Sequence, residues 1–228
     1  MGSRNELEAI IWDMDGVLVD TNPFHFQAWR ETYKRFSDDR QPLAKSRFEA
    51  LFGMRNDETV SRLFGADPTS TAFIKRVSAE KELLFREMIP GRIEPLAGVL
   101  SWLSFFLELG RPQAVASSAP ELNIQAILNE LGLSPYFAVV LSGEESPQLA
   151  SKPAPDVFLE AARRLKVTPA RCLVIEDSVV GIQGAKAAGM ACLAVTTTHP
   201  ALALAAADWI IDNFDDLPPE SLLEMWKQ

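Results

Sequence analysis

The sequence predicts an α/β fold: a parallel sheet covered by helices on both faces, interrupted once by an all-helical insert. Three observations predict it. Short apolar runs of strand length recur along the chain and stop abruptly at polar or acidic residues. Helical patterns lie between them, and strands alternating with helices pair in parallel and are buried on both faces. The segment from about Thr21 to Gly91 breaks that alternation, with helical runs and no strand pattern.

Taken in order, Met1 to Asn5 read as a tag remnant or frayed end. Ala9-Ile10-Ile11-Trp12 is the first buried strand, ending at Asp13-Met14-Asp15-Gly16. Helical runs follow at Phe24 to Phe36, Ser46 to Phe52, Glu58 to Phe64 and Thr71 to Met88. Further strands are expected at Gln113 to Ala116, Phe137 to Leu141, Cys172 to Ile175, Ala191 to Val195 and Trp209 to Ile211. Helices are expected at Glu121 to Leu131, Pro155 to Leu165 and Val179 to Ala188, the last stopped by Gly189. The expected organisation is a Rossmann-like core of residues 1–20 and 92–228, with residues 21–91 inserted as a helical cap above the first strand's C-terminal end.

Composition narrows the function. With 22 basic against 31 acidic side chains the net charge is −9, which argues against a surface that neutralises nucleic-acid phosphates. Cys172 and Cys192 are too few and too far apart for a zinc site or a disulfide framework. Nothing resembles a signal peptide, so a reducing cytoplasm is the default compartment. No charged residue lies between Lys186 and Asp208. That stretch fails as a membrane span because Thr196 to Pro200 interrupt it, and a span needs about 20 mostly apolar residues in a row. It reads instead as a buried strand, a loop and an alanine-rich helix.

The chemistry concentrates at strand ends. Asp13 and Asp15 stand at i and i+2 of an extended segment, so both carboxylates can face one point. They repel each other unless a divalent cation binds or one holds a proton, and both conditions suit phosphoryl transfer. A solvated acidic turn is the competing reading. Ser117 and Ser118 follow another strand; Ser118-x-x-Glu121 also has the spacing of a helix capping box. Lys152 precedes a proline-fixed helix entry, where an ammonium can neutralise phosphate oxygens or an aspartate, or simply be a solvated charge. Glu176-Asp177 ends a further strand in a second acidic pair, the hard oxygen donors that Mg²⁺ takes. In open parallel sheets ligands bind beyond the carboxyl ends of the strands, so these groups fall at one place.

These segments, in this order, resemble the motifs of the haloacid dehalogenase superfamily, in the branch with a helical cap inserted after the first motif. Asp13-Met14-Asp15-Gly16-Val17-Leu18-Val19-Asp20 is similar to the first motif, Ser117 to the second, Lys152 to the third, and Glu176-Asp177 with Gly181 to Gly189 to the fourth. The resemblance implies that Asp13 is a nucleophile forming an aspartyl-phosphate, with Asp15 as acid and then base. It further implies that Lys152 and Ser117 hold phosphoryl oxygens, and that Asp13, the Asp15 carbonyl, Glu176 and Asp177 position Mg²⁺. Asp15 speaks against the dehalogenating and phosphonate-cleaving members.

Within the superfamily the first motif and the residues Asp20-Thr21, His25 and Trp29 resemble β-phosphoglucomutase and phosphatases close to it. Thr21, His25, Arg55 and Lys81 become candidate substrate contacts, together with Ser118. For His25 the competing reading is a packed residue on the stripe Phe24, Ala28 and Trp29, and for Arg55 and Lys81 a solvated helix charge. A mutase must hold a second, unreacting phosphate. Leu51-Phe52-Gly53-Met54-Arg55-Asn56-Asp57 puts Asn56 where the mutases carry an arginine, and Ala119-Pro120-Glu121 stands where they carry a Ser-Lys-Asn type run. The expectation is a phosphatase of small phosphorylated metabolites, monomeric or weakly self-associating, with mutase as the alternative and a catalytically silent binding module as a remote third.

Overall fold

The computed structural model describes residues 6–39, 41–49, 51, 55–65, 70–143 and 149–227. In chain order these form β1 (Ala9–Trp12), α1 (Asn22–Phe36), α2 (Lys45–Glu49), α3 (Asn56–Phe64), α4 (Thr71–Met88), α5 (Val99–Glu108), β2 (Gln113–Ser117), α6 (Glu121–Glu130), β3 (Val139–Ser142), α7 (Asp156–Leu165), β4 (Cys172–Glu176), α8 (Val179–Ala187), β5 (Ala191–Val195), β6 (Trp209–Ile211) and α9 (Pro219–Trp226). The chain divides into two compact units, Met1–Asp20 with Glu94–Gln228, and Thr21–Ile93.

The first unit is built on a six-stranded parallel sheet of order β3-β2-β1-β4-β5-β6. Its central strands are apolar on both sides because helices cover both faces. On one face Ala9, Ile11, Ala114, Ala116, Val174 and Cys192 meet Val157, Phe158, Ala161, Ile182 and Ala185 from α7 and α8. α7 shows why such a helix forms here. It buries Val157, Phe158, Ala161 and Ala162 along one stripe, leaves Glu160, Arg163 and Arg164 to pair with one another outside, and ends at Lys166 in the left-handed conformation. The intervening residues turn the other way: Trp12 lies 5.7 Å from Phe214, whose ring is 5.3 Å from that of Trp102. The strand order reverses between β1 and β4, which opens the crevice at their carboxyl ends where α/β enzymes bind ligands.

The second unit is all-helical among its described residues. α1 and α3 pack against α4 around Trp29, Tyr33, Val60, Leu63 and Val77.

Two expectations need correction. Residues 201–206 form successive turns and no helix. Their amides bond three residues back, as Ala203 N does to Pro200 O and Leu204 N to Ala201 O. Few residues separate Pro200 from Asp208, whose carboxylate accepts from Cys192 N and Lys186 Nζ. That is too little chain to offset helix nucleation. The expected helix Ser46 to Phe52 is shorter, ending at Glu49, and Phe52 lies outside the described residues. Among the described residues no helix is long and apolar enough to cross a membrane.

Candidate active site

The site gathers on Lys152. Its ammonium donates to Asp13 Oδ1 at 2.5 Å, to Glu176 Oε1 at 2.6 Å and to the carbonyl of Ala116 at 3.2 Å, while sitting 4.9 Å from the centre of the Phe158 ring. All three ammonium protons therefore have acceptors. Ala116 immediately precedes Ser117, so one cation ties together the ends of β1, β2 and β4. The arrangement is buried: the Lys152, Asp13 and Glu176 side chains are 5%, 10% and 1% exposed.

Asp13 leaves β1 with its amide bonded to Ile175 O of the neighbouring strand at 2.9 Å. Met14 to Val19 then fold into a tight turn in which Leu18 N bonds Met14 O and Gly16 N bonds Val19 O. Gly16 has φ +81, where a side chain is strained, and a Cβ there would lie 2.7 Å from Asp177 Cγ. Asp15, half-buried in this turn, adds a like charge that bears on Asp13.

Burial dominates the electrostatics. Asp13 is pushed from 3.8 up to about 7 by desolvation, against the attraction of Lys152 and with the help of the Glu176 and Asp15 charges. Asp177, 3% exposed, is raised well above the usual carboxylate range by burial and then by Glu176 and Asp13. Burial works against the charge of Lys152, but Asp13 and Glu176 outweigh it, so its pKa is raised.

Glu176, expected among the metal ligands, has both carboxylate oxygens engaged by protein donors. Its Oε1 goes to Lys152, and its Oε2 accepts from Asp177 N, Ser178 N and Ser178 Oγ at 2.9 to 3.0 Å. Ser178 is the N-cap of α8, its hydroxyl in turn accepting from Gly181 N at 3.0 Å. Both Glu176 oxygens are thus held by protein donors, and its observed work is to anchor Lys152 and the start of α8.

The donor chemistry nonetheless fits a hard divalent cation. Asp13, Glu176 and Asp177 are buried carboxylates around one ammonium, an excess of negative charge in an oxygen-only set. Among the described residues no three such side chains converge on a single point. Lys152 joins Asp13 to Glu176, leaving Asp13 and Asp177 as the carboxylates suited to such an ion.

Ser117 is buried, and its Oγ accepts from Ala119 N at 3.0 Å. Ser118 is exposed and does not cap α6, which starts two residues later than its spacing predicts, with Pro120 at the cap position and no side-chain bond. Residues that sequence reasoning missed are Ser178, Phe158 and Thr198, whose hydroxyl donates to Asp177 Oδ2. A serine directly before a helix was a legible cap signal for Ser178; nothing local marks the other two.

The second unit brings His25, Lys81 and Asn56 together. Lys81 Nζ lies 2.9 Å from His25 Nδ1 and 2.8 Å from Glu82 Oε1, and Asn56 Nδ2 donates to the same Glu82 oxygen at 2.7 Å. His25 stacks on Phe85 with centroids 4.1 Å apart. Lys81 is 3% exposed, so it is no solvated helix charge. Thr21 is fully buried at the start of α1, its carbonyl accepting from Phe24 N and His25 N. Arg55, directly before Asn56, is exposed, with its Nε 3.4 Å from Asp57 Oδ1.

A β3-β2-β1-β4-β5-β6 parallel sheet with a lysine-braced acidic cluster at its carboxyl ends defines a Rossmann-like α/β enzyme class with its candidate site at the strand-order reversal. Comparison with known proteins agrees: the haloacid dehalogenase-like hydrolase family matches residues 7–189, and the chain belongs to it. The chain is 35% identical over 184 residues to the fructose-1-phosphate phosphatase YqaB of Escherichia coli (strain K12), covering 79% of this chain and 92% of that protein. It is 32% identical over 233 residues to the β-phosphoglucomutase of Bacillus subtilis (strain 168), covering 97% and 96%. The crystal structure of a family IA, variant 3 hydrolase from Entamoeba histolytica superposes with a TM-score of 0.87 at 25% identity, covering 97% of this chain and all of that one.

Proposed function

We propose that this chain is a Mg²⁺-dependent phosphatase of small phosphorylated metabolites, working through a phosphorylated Asp13. A carboxylate oxygen of Asp13 attacks the phosphorus of the substrate, the ester oxygen leaves, and Asp15 gives it a proton. Water then attacks the aspartyl-phosphate, Asp15 takes its proton, and Asp13 is released with inorganic phosphate. Lys152 holds Asp13 in place and, with the Ser117 hydroxyl, meets charge on the phosphoryl oxygens. Mg²⁺ held by Asp13 and Asp177 would offset their crowded negative charge and that of the phosphoryl group. Asp13 attacks only when ionised; burial pushes its pKa up to about 7, and a cation beside it would favour the ionised form. The single observation that carries this reading is the Lys152 ammonium bonded at once to Asp13, Glu176 and the carbonyl before Ser117.

The relatives include both a sugar-phosphate phosphatase and a mutase. The second unit favours hydrolysis. A mutase needs fixed positive charge for an unreacting phosphate, and Lys81 is instead balanced by Glu82 in direct contact. At the position of the mutase arginine, Asn56 donates to that same Glu82. Residues 21–91 act in this reading as a substrate-selecting cap, to which His25, Lys81, Thr21 and Arg55 belong.

The test is phosphate release from an aryl phosphate and a panel of sugar phosphates that includes fructose 1-phosphate. Asp13→Asn and excess chelator should each bring release to background; full activity in chelator refutes the cation. With β-glucose 1-phosphate and a trace of the bisphosphate, inorganic phosphate should appear with little glucose 6-phosphate. Rapid isomerisation without phosphate release would replace phosphatase with mutase.

A further inference from the structure

The loop after β5 delivers a hydroxyl to Asp177. Thr196 leaves the strand with its amide bonded to Ile211 O at 3.0 Å and its Oγ1 to Asp212 Oδ1 at 2.7 Å, which fixes the start of the loop to the end of β6. Two residues later the half-buried Thr198 donates its hydroxyl proton to Asp177 Oδ2. Gly16 closes the space from a third side: a Cβ there would lie 2.7 Å from Asp177 Cγ and 2.8 Å from Thr198 Oγ1. The turn after β1, the end of β4 and the loop after β5 thus meet on one carboxylate. We infer that Thr198 is a positioning residue, holding the Asp177 carboxylate in one orientation so that the cation of the proposed mechanism binds more tightly.

The physical argument is one of order. An ionised carboxylate accepts through about four lone-pair sites, so one bond from Thr198 leaves most of its capacity for a ligand. Without that bond, the side chain must be immobilised when the ion binds, at the expense of affinity. Hydrogen-bond partners of this kind change metal affinity by about 10- to 100-fold in other sites. Thr198 would act through Asp177 and touch neither substrate nor ion.

The inference rests on the reading of Asp177 as a cation ligand, and the experiment separates the two. Mg²⁺ is titrated calorimetrically into the full-length wild type, Thr198→Val and Thr198→Ser, without substrate, and each is melted in chelator to report the fold. Thr198→Val keeps the branched shape and loses the hydroxyl, so its dissociation constant should rise about 10-fold, while Thr198→Ser should stay within about 3-fold of wild type. Wild-type affinity in Thr198→Val overturns the inference and leaves the cation reading standing. A Thr198→Ser as weak as Thr198→Val also overturns it, since the hydroxyl would then not be the cause. No Mg²⁺ binding by the wild type overturns both.

Discussion

Gly181→Ala sets two effects of opposite sign against each other. Gly181 lies in the first turn of α8 with ordinary helical backbone, and replacing a helical glycine by alanine alone gains about 1 kcal/mol. The added Cβ, however, would overlap the Glu176 carboxylate, touching Oε1, Oε2 and Cδ. Elsewhere a carboxylate swings aside at small cost. Here Glu176 is 0% exposed, with Lys152 on one oxygen and two amides and a hydroxyl on the other. Moving it separates a buried ion pair, which costs about 3–5 kcal/mol. The net expectation is destabilisation by about 2–4 kcal/mol, a fall in Tm of roughly 5–15 °C for a chain of this size. Urea unfolding and a thermal melt check it, alongside phosphate release, which should fall because Lys152 loses an anchor. A variant as stable as the wild type or more so would show that Glu176 has slack the structure does not reveal.

Further expectations follow from the same charges. In chelator, stability should fall as pH rises from about 4 to 7 and level off above: Asp13 binds its proton more tightly folded, at about 7, than at its ordinary 3.8, so the folded state holds the extra proton and loses that advantage as it ionises. The gap corresponds to at most about 4 kcal/mol; Asp177 shifts the same way, and Mg²⁺ should raise Tm more at pH 8 than at pH 5. A Tm that climbs with pH in chelator would contradict this. In the second unit, Lys81→Met removes the ammonium beside buried Glu82 and should cost about 3 kcal/mol, whereas Lys81→Met with Glu82→Gln should recover part of that loss. Strict additivity of the two substitutions in urea melts would mean that the pair is not coupled.

Much of the fold is legible locally. β1 and β5 begin and end where their apolar runs do, because strands buried on both faces need continuous apolar sequence and the polar residue that follows marks the exit into the crevice; the edge strand β6 also matches its run. α4 spans the full run Thr71 to Met88. α5 is not among the expected helices: Val99, Trp102, Leu103 and Phe106 make its buried stripe, but exposed Leu100 and Leu107 on the other side blur the period. Ala201 to Ala207 misleads in the opposite direction, since alanine favours helix per residue while the segment is too short and too tightly tethered to nucleate one. Ser118 shows the limit of spacing rules, for its capping pattern is intact while the helix starts beyond it.

By itself the sequence singled out the candidate residues and the local places where they stand: Asp13 and Asp15 after the first apolar run, Ser117 at the second, Lys152 before a helix, Glu176 and Asp177 at the end of another run. Only the tertiary structure decided how they meet. Strand order is not written in any local period, and it is the placing of β1 between β2 and β4 that lets Lys152 reach Asp13, 139 positions away in the chain. Burial then changes what the same residues are. A lysine and three carboxylates that water would keep apart become one coupled cluster, because removing solvent raises the cost of each lone charge and forces every donor onto an acceptor. The hold of Thr198 on Asp177 and the Phe158 ring beneath Lys152 arise from that packing, which no short stretch of sequence encodes.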